Sequence, residues 1–173
     1  MVTSTSSDPA PPNPEPREVM LDTLAAQTAA IDELVDLAQE RLQIFDVDLS
    51  QCGWQTAGRA ERLAAFLRRS PGARIELIAH DLRFLETSCP RLLALLKPHS
   101  HAITVYRAGA EARSANDPLV IADGRHFLHR YHVGQPRATF VVGQPQLARP
   151  WVMRFGEIWA TGEPGLGATV LGL

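Results

Sequence analysis

The chain has 173 residues, 45% of them apolar and 21% charged, with a net charge of −2, which is enough to bury one core without disulfides or metal. Its two cysteines, Cys52 and Cys89, lie far apart with no second pair, which argues against a disulfide framework and a zinc site and leaves structural thiols. Charge is uneven: residues 1–50 hold ten Asp and Glu against Arg17 and Arg41, giving −8, and residues 51–173 hold fifteen basic against nine acidic, giving +6, so the folded part is mildly basic, as a solvated, anion-binding or nucleic-acid-binding surface would be.

Residues 1–17 carry five prolines among Ser, Thr and Asp and are expected to form a disordered tail ahead of a single domain, 18–173. The tail lacks a basic start followed by an apolar stretch, and no run approaches the ~20 apolar residues of a membrane span, so a cytoplasmic protein without membrane insertion is expected.

From Glu18 to about Glu40 an apolar stripe of Leu21, Leu24, Ile31, Leu34, Val35, Ala38 and Leu42 predicts an amphipathic helix. Leu42–Leu49 reads as a strand buried on both faces, ending in polar Asp46, Asp48 and Ser50. Gly58–Arg69 reads as a second helix with Leu63, Phe66 and Leu67 on one side and basic residues on the other, stopped by Pro71-Gly72. A strand over Arg74–Ala79 follows, then a helix starting at Ser88 or earlier and ending before Pro98, then a strand over Ala102–Arg107. This alternation predicts right-handed crossovers onto a parallel sheet.

The pattern then changes. Leu119–Ala122 and Phe127–Tyr131 flank Asp123-Gly124, a pair that favours a hairpin turn. Ala138–Val142 reads as one more strand, and a helix from about Gln146 to Ala160 turns Trp151, Phe155, Ile158 and Trp159 toward the core. Gly162–Leu173 is glycine-rich and is expected to add a short edge strand.

On these residues the chain resembles a phospholipase D-like half-domain. In that superfamily a strand carrying His-x-Lys-x-x-x-x-Asp runs into a hairpin, a further strand ends in Gly-Ser-x-Asn, and a helix with an aromatic-rich end closes the unit. The resemblance covers Leu42 to Ala160 and implies an α/β/α sandwich: one mixed, mainly parallel sheet flanked by helices. Aligning Asp123 with the motif aspartate puts Asn116 at the histidine position and Pro118 at the lysine position, and Gly143-Gln144-Pro145-Gln146 at Gly-Ser-x-Asn. Asparagine is no phosphoryl nucleophile, and proline offers neither charge nor N–H. The resemblance therefore implies a degenerate, non-catalytic domain that binds a phosphate-containing ligand or a protein. It also implies a homodimer, since only one half of a two-half cleft is present. The stretch Asp123–Arg130 is similar, too, to uncharacterised bacterial domains that sometimes follow an acetyltransferase domain.

Four residues form the candidate anion site: Asp123, His126, His129 and Arg130. Strand alternation puts His126 and His132 on one face and His129 on the other, which argues against a three-histidine metal site. Asp123 alternatively only fixes its turn. Asp46 and Asp48, at a strand's carboxyl end, either reach the same cleft or cap their own turn. His80-Asp81 has no nucleophile placed beside it. Glycine-rich phosphate loops are absent, and no cofactor is expected. Two other functions stay open: a phosphodiesterase using His126 or His129 as a rearranged nucleophile, and a nucleic-acid-binding module.

Overall fold

The computed structural model describes residues 13–166. The tail expected over residues 1–17 falls mostly outside them, as does the chain after Leu166. Residues 13–16 run past Gly143, where a side-chain carbon would sit 3.2 Å from the Pro14 carbonyl.

The first element is a strand, β1 (Arg17–Leu21), where periodicity predicts the start of a helix. Helix α1 (Leu24–Leu37) is capped by Thr23, whose backbone is extended and whose hydroxyl accepts the Ala26 N–H at 3.1 Å. Leu21 belongs to the helical stripe by spacing, but pairing with a distant strand outweighs that local preference. Ile31, Leu34 and Val35 are buried as expected.

Strand β2 (Arg41–Asp46) and helix α2 (Ala57–Arg69) follow. One residue of the expected basic face of α2 is inside: Arg59 is 1% exposed, donates to Asp32 at 2.7 Å and to the carbonyls of Thr28 and Cys52, and lies over the Trp54 ring. Strand β3 (Arg74–Ala79) leads to two short helices, α3 (Arg83–Ser88) and α4 (Pro90–Leu96), split at Cys89 because Pro90 has no N–H to continue the first. Strand β4 (Ile103–Arg107) precedes the antiparallel part: β5 (Leu119–Ala122), β6 (His126–Arg130) and β7 (Ala138–Val142). Helix α5 (Pro145–Trp159) and a two-residue strand, β8 (Glu163–Pro164), complete the order.

All eight strands form one sheet in the order β1-β7-β6-β5-β2-β3-β4-β8. The sheet is mixed, as expected, but only β2–β3 and β3–β4 are parallel. The other five pairings are antiparallel, so the parallel share is smaller than expected. Short connections join β5 to β6 and β6 to β7, which only antiparallel neighbours accept, and β5, β1 and β8 add antiparallel pairings with strands distant in sequence.

Two cores separate the layers. Leu42, Ile44, Leu77, Val120 and Leu128 pack under α1–α4, and Phe45, Ile78, Ile121, Phe127 and Val141 pack under α5. The fold is therefore an α/β sandwich with helices on both faces of the sheet.

Candidate functional site

Asp123 and Gly124 both have positive φ, 54° and 65°, in a turn closed by the Arg125 N–H on the Ala122 carbonyl, the geometry that favours this dipeptide. The Asp123 carboxylate faces the chain between α1 and β2. It accepts the N–H groups of Gln39 at 2.8 Å, Glu40 at 2.8 Å and Arg41 at 2.9 Å. Asp123 thus fixes its turn and clamps a second segment.

The other three candidates do not converge with it. His126 and Arg130 share the α1 side of the sheet with Leu128, whereas His129 shares the α5 side with Phe127. His126 accepts the Gly143 N–H on Nδ1 at 2.8 Å, and burial lowers its pKa. Arg130 is buried and spends its donors on the carbonyls of Gln135 and Val133 and on the Gln51 side chain. These bonds engage all three guanidinium nitrogens and tie the Gln51 and Val133–Gln135 loops together.

Two of the four line separate cavities. His126 lines one of about 340 Å³ with Arg125, Gly143, Pro145 and residues 13–16. His129 lines a larger cleft, of about 460 Å³, between the loop that enters β5, the end of β6 and α5. Its walls include Ser114, Asn116, Asp117, His132, Trp151 and Arg154. The His129 ring stacks on Trp151, centroids 3.7 Å apart and planes at 23°, and its Nε2 lies 2.9 Å from Asp117 Oδ2. Nδ1 is buried and has no partner among the described residues. Arg154 donates to both oxygens of Asp117, with Nε 2.8 Å from Oδ2. Burial by itself would raise the Asp117 carboxyl, but the hydrogen bonds from His129 and Arg154 outweigh it and hold the carboxyl at about 2.

Backbone bonds join the rims. The Val133 N–H reaches the Asn116 carbonyl at 2.7 Å, and the Arg130 N–H reaches the Pro118 carbonyl at 2.9 Å. His132 lines the cleft with His129, against the expectation from alternation, because β6 ends at Arg130 and the two-residue period ends with it. Its Nδ1 accepts the Gly134 N–H at 2.9 Å, so the neutral ring carries its proton on Nε2 as a donor.

The positions aligned with the two motifs lie apart. Asn116 and Pro118 precede β5 and Gly143 follows β7, and β5 and β7 run the same way on either side of β6. They therefore stand at opposite ends of the sheet. Asp46 lies on the α1 side, buried, with its carboxyl pushed up to about 6 by burial and accepting the Val47 N–H at 2.6 Å. Asp48 accepts the N–H and hydroxyl of Ser50, a local cap. His80 and Asp81 part company: His80 Nε2 meets the Ala115 carbonyl at 2.7 Å and Asp81 pairs with Arg83. Among the described residues no three His, Cys, Asp or Glu side chains converge as metal ligands.

Asp117, Trp151 and Arg154 do not figure among the candidates from sequence. One signal was present: Arg154 breaks an otherwise apolar α5 stripe three residues after Trp151, which places both on one helix face.

Residues 23–167 match a family described as a domain of unknown function (DUF7931). The chain belongs to that family. No curated protein matches it by sequence. Three solved structures place the DUF7931 fold. Nuc from Salmonella typhimurium, a phospholipase D family member, is 11% identical with a TM-score of 0.63, over 88% of this chain and 100% of its own. TrmBL2, an archaeal chromatin protein whose structure shows a novel mode of DNA binding, is 12% identical with a TM-score of 0.63, over 86% of this chain and 54% of its own. Phosphatidylserine synthase from Haemophilus influenzae Rd KW20 is 12% identical with a TM-score of 0.57, over 86% of this chain and 39% of its own. This DUF7931 chain thus spans the whole of Nuc and about half of TrmBL2, and its fold is phospholipase D-like.

Proposed function

We propose that the protein is a non-catalytic phospholipase D-like domain of the cytoplasm that binds a phosphate-containing anion in the Asp117–Arg154 cleft. The observation that carries this reading is the state of His129. One ring nitrogen is held by Asp117 and the other is buried, so no imidazole nitrogen in the cleft with a carboxylate partner is presented to phosphorus. Asn116 and Pro118 stand where the superfamily has its histidine and lysine. Arg154 remains partly exposed beside the Asn116 amide and the His132 Nε2 donor, a donor set suited to phosphoryl oxygens.

The anion set read from sequence, Asp123, His126, His129 and Arg130, is replaced in this proposal by Arg154, Asn116 and His132, with His129 kept as their packing partner. A phosphodiesterase with a rearranged histidine finds less support, since His126 is buried, lines a different cavity and has its Nδ1 taken by the Gly143 N–H. Calorimetric titration with inorganic phosphate is the test, together with turnover of a bis(aryl) phosphodiester. Binding that Arg154→Ala removes, without turnover, is the expected result. Turnover that His129→Ala abolishes would replace the proposal with the enzymatic one.

A homodimer belongs to the same reading. Tyr131 and Leu147 expose apolar surface beside the cleft, and a two-fold axis there would bring two copies of the cleft together.

A further inference from the structure

The anion cleft shares a wall with a second cavity. His129, Tyr131 and Trp151 line both. The second cavity, of about 250 Å³, adds Phe127, Val141 and Leu147, which are apolar, and Thr139 and Glu18 from the two outermost strands of that edge.

The two halves differ in chemistry. Arg154, Asn116 and His132 occur only in the first. Asp117 there is already bound by Arg154 and His129, so the donors that remain for an anionic group are the free N–H groups of Arg154, the Asn116 amide and His132. Glu18 is the only charged side chain of the second, where it repels an anion and accepts N–H donors. Trp151 and Tyr131 offer aromatic surface at the junction, on which a planar ring stacks. The second cavity has room for one ring system and is too small for a long acyl chain.

We propose that the paired cavities take a single ligand made of a planar ring with N–H donors joined to one phosphate, the composition of a nucleoside monophosphate. The ring lies in the Phe127–Leu147 cavity with its donors toward Glu18, and the phosphate meets Arg154. This rests on the anion-binding reading above and adds the body that the anion carries.

Calorimetry on the full chain with three probes tests it: inorganic phosphate, adenosine and adenosine monophosphate. Adenosine monophosphate should bind at least about tenfold more tightly than either fragment, the contribution expected of a stacked base. Leu147→Trp, which fills the apolar cavity from a half-exposed position, should weaken adenosine and the monophosphate and spare inorganic phosphate. Arg154→Ala should weaken phosphate and the monophosphate and spare adenosine. If the monophosphate binds no more tightly than inorganic phosphate, the ring site is overturned and the anion site stands. If neither phosphate nor the monophosphate binds, the anion reading fails and this proposal with it.

Discussion

Arg154 and Asp117, 37 residues apart, meet side on, with both Asp117 oxygens taken by the guanidinium and His129 sharing one of them. The pair is the only link by which a charged side chain of α5 holds the loop entering β5 among the described residues.

Acid should loosen this link. The Asp117 carboxyl sits at about 2 in the folded chain against an ordinary 3.8, so its contribution is complete above pH ~4 and is lost as pH falls toward 2. Unfolding measured from pH 5 to pH 2 should show a loss of about 1–2 kcal/mol that is missing in Asp117→Asn. An identical pH dependence in that variant would count against the ion pair.

Asp46 works with the opposite sign. Burial raises its folded pKa to about 6, so the folded state holds a proton that the unfolded chain releases at about 3.8, and stability falls as pH rises between those values. Asp46→Asn should therefore be more stable than the parent at pH 7.5, by about 1–3 kcal/mol, and equal to it near pH 4. A variant less stable at both pH values would refute the burial argument.

Asp123 should matter for stability and not for ligand. Asp123→Gly keeps the positive φ but loses the acceptor for three N–H groups, and should cost about 1–3 kcal/mol. Asp123→Asn keeps one acceptor oxygen and should cost less. Denaturant midpoints for the two variants decide this, and equal midpoints would mean that the clamp contributes nothing.

Within the aromatic stripe of α5, Phe155 and Trp159 differ. Phe155 is 1% exposed, whereas Trp159 is only partly buried and stacks on Tyr106 at 4.4 Å. Phe155→Ala should cost about 3–5 kcal/mol and Trp159→Ala less, although the sequence pattern turns both toward the core. Thermal melts of both variants rank them directly.

Light scattering after size exclusion tests pairing. The chain mass is 19.0 kDa, and the homodimer predicts twice that at micromolar concentration, falling back in a Leu147→Lys variant. A monomer mass for the parent removes the proposal.

Much of the fold was legible because its signals are local. The hairpin was readable from Asp-Gly between apolar runs, and β7 from Ala138–Val142 with its observed limits. The amphipathic stripe located the body of α1. What could not be read depends on contacts across the chain. β1 is a strand because β7 lies beside it, and the two are more than a hundred residues apart in sequence. The balance of parallel and antiparallel pairing follows from β5 settling against β2. The site was harder still. Histidine spacing drew attention to His126, His129 and His132, but the choice among them is made by the α5 face, where Trp151 covers His129 and Arg154 reaches Asp117. Arg130 is strongly charged and adjacent to His129, yet alternation sends it to the other side, where carbonyls consume it.

The strand order places Arg17 and Pro164 in the two outermost strands of the sheet. Seven inter-strand steps separate them, roughly 30 Å at the usual spacing. A polypeptide entering at β1 therefore leaves at the far flank, past the edge of β4. Arg17 and Pro164 are thus held apart by the full width of the sheet, and the His129 cleft lies in the half of the sheet nearer β1.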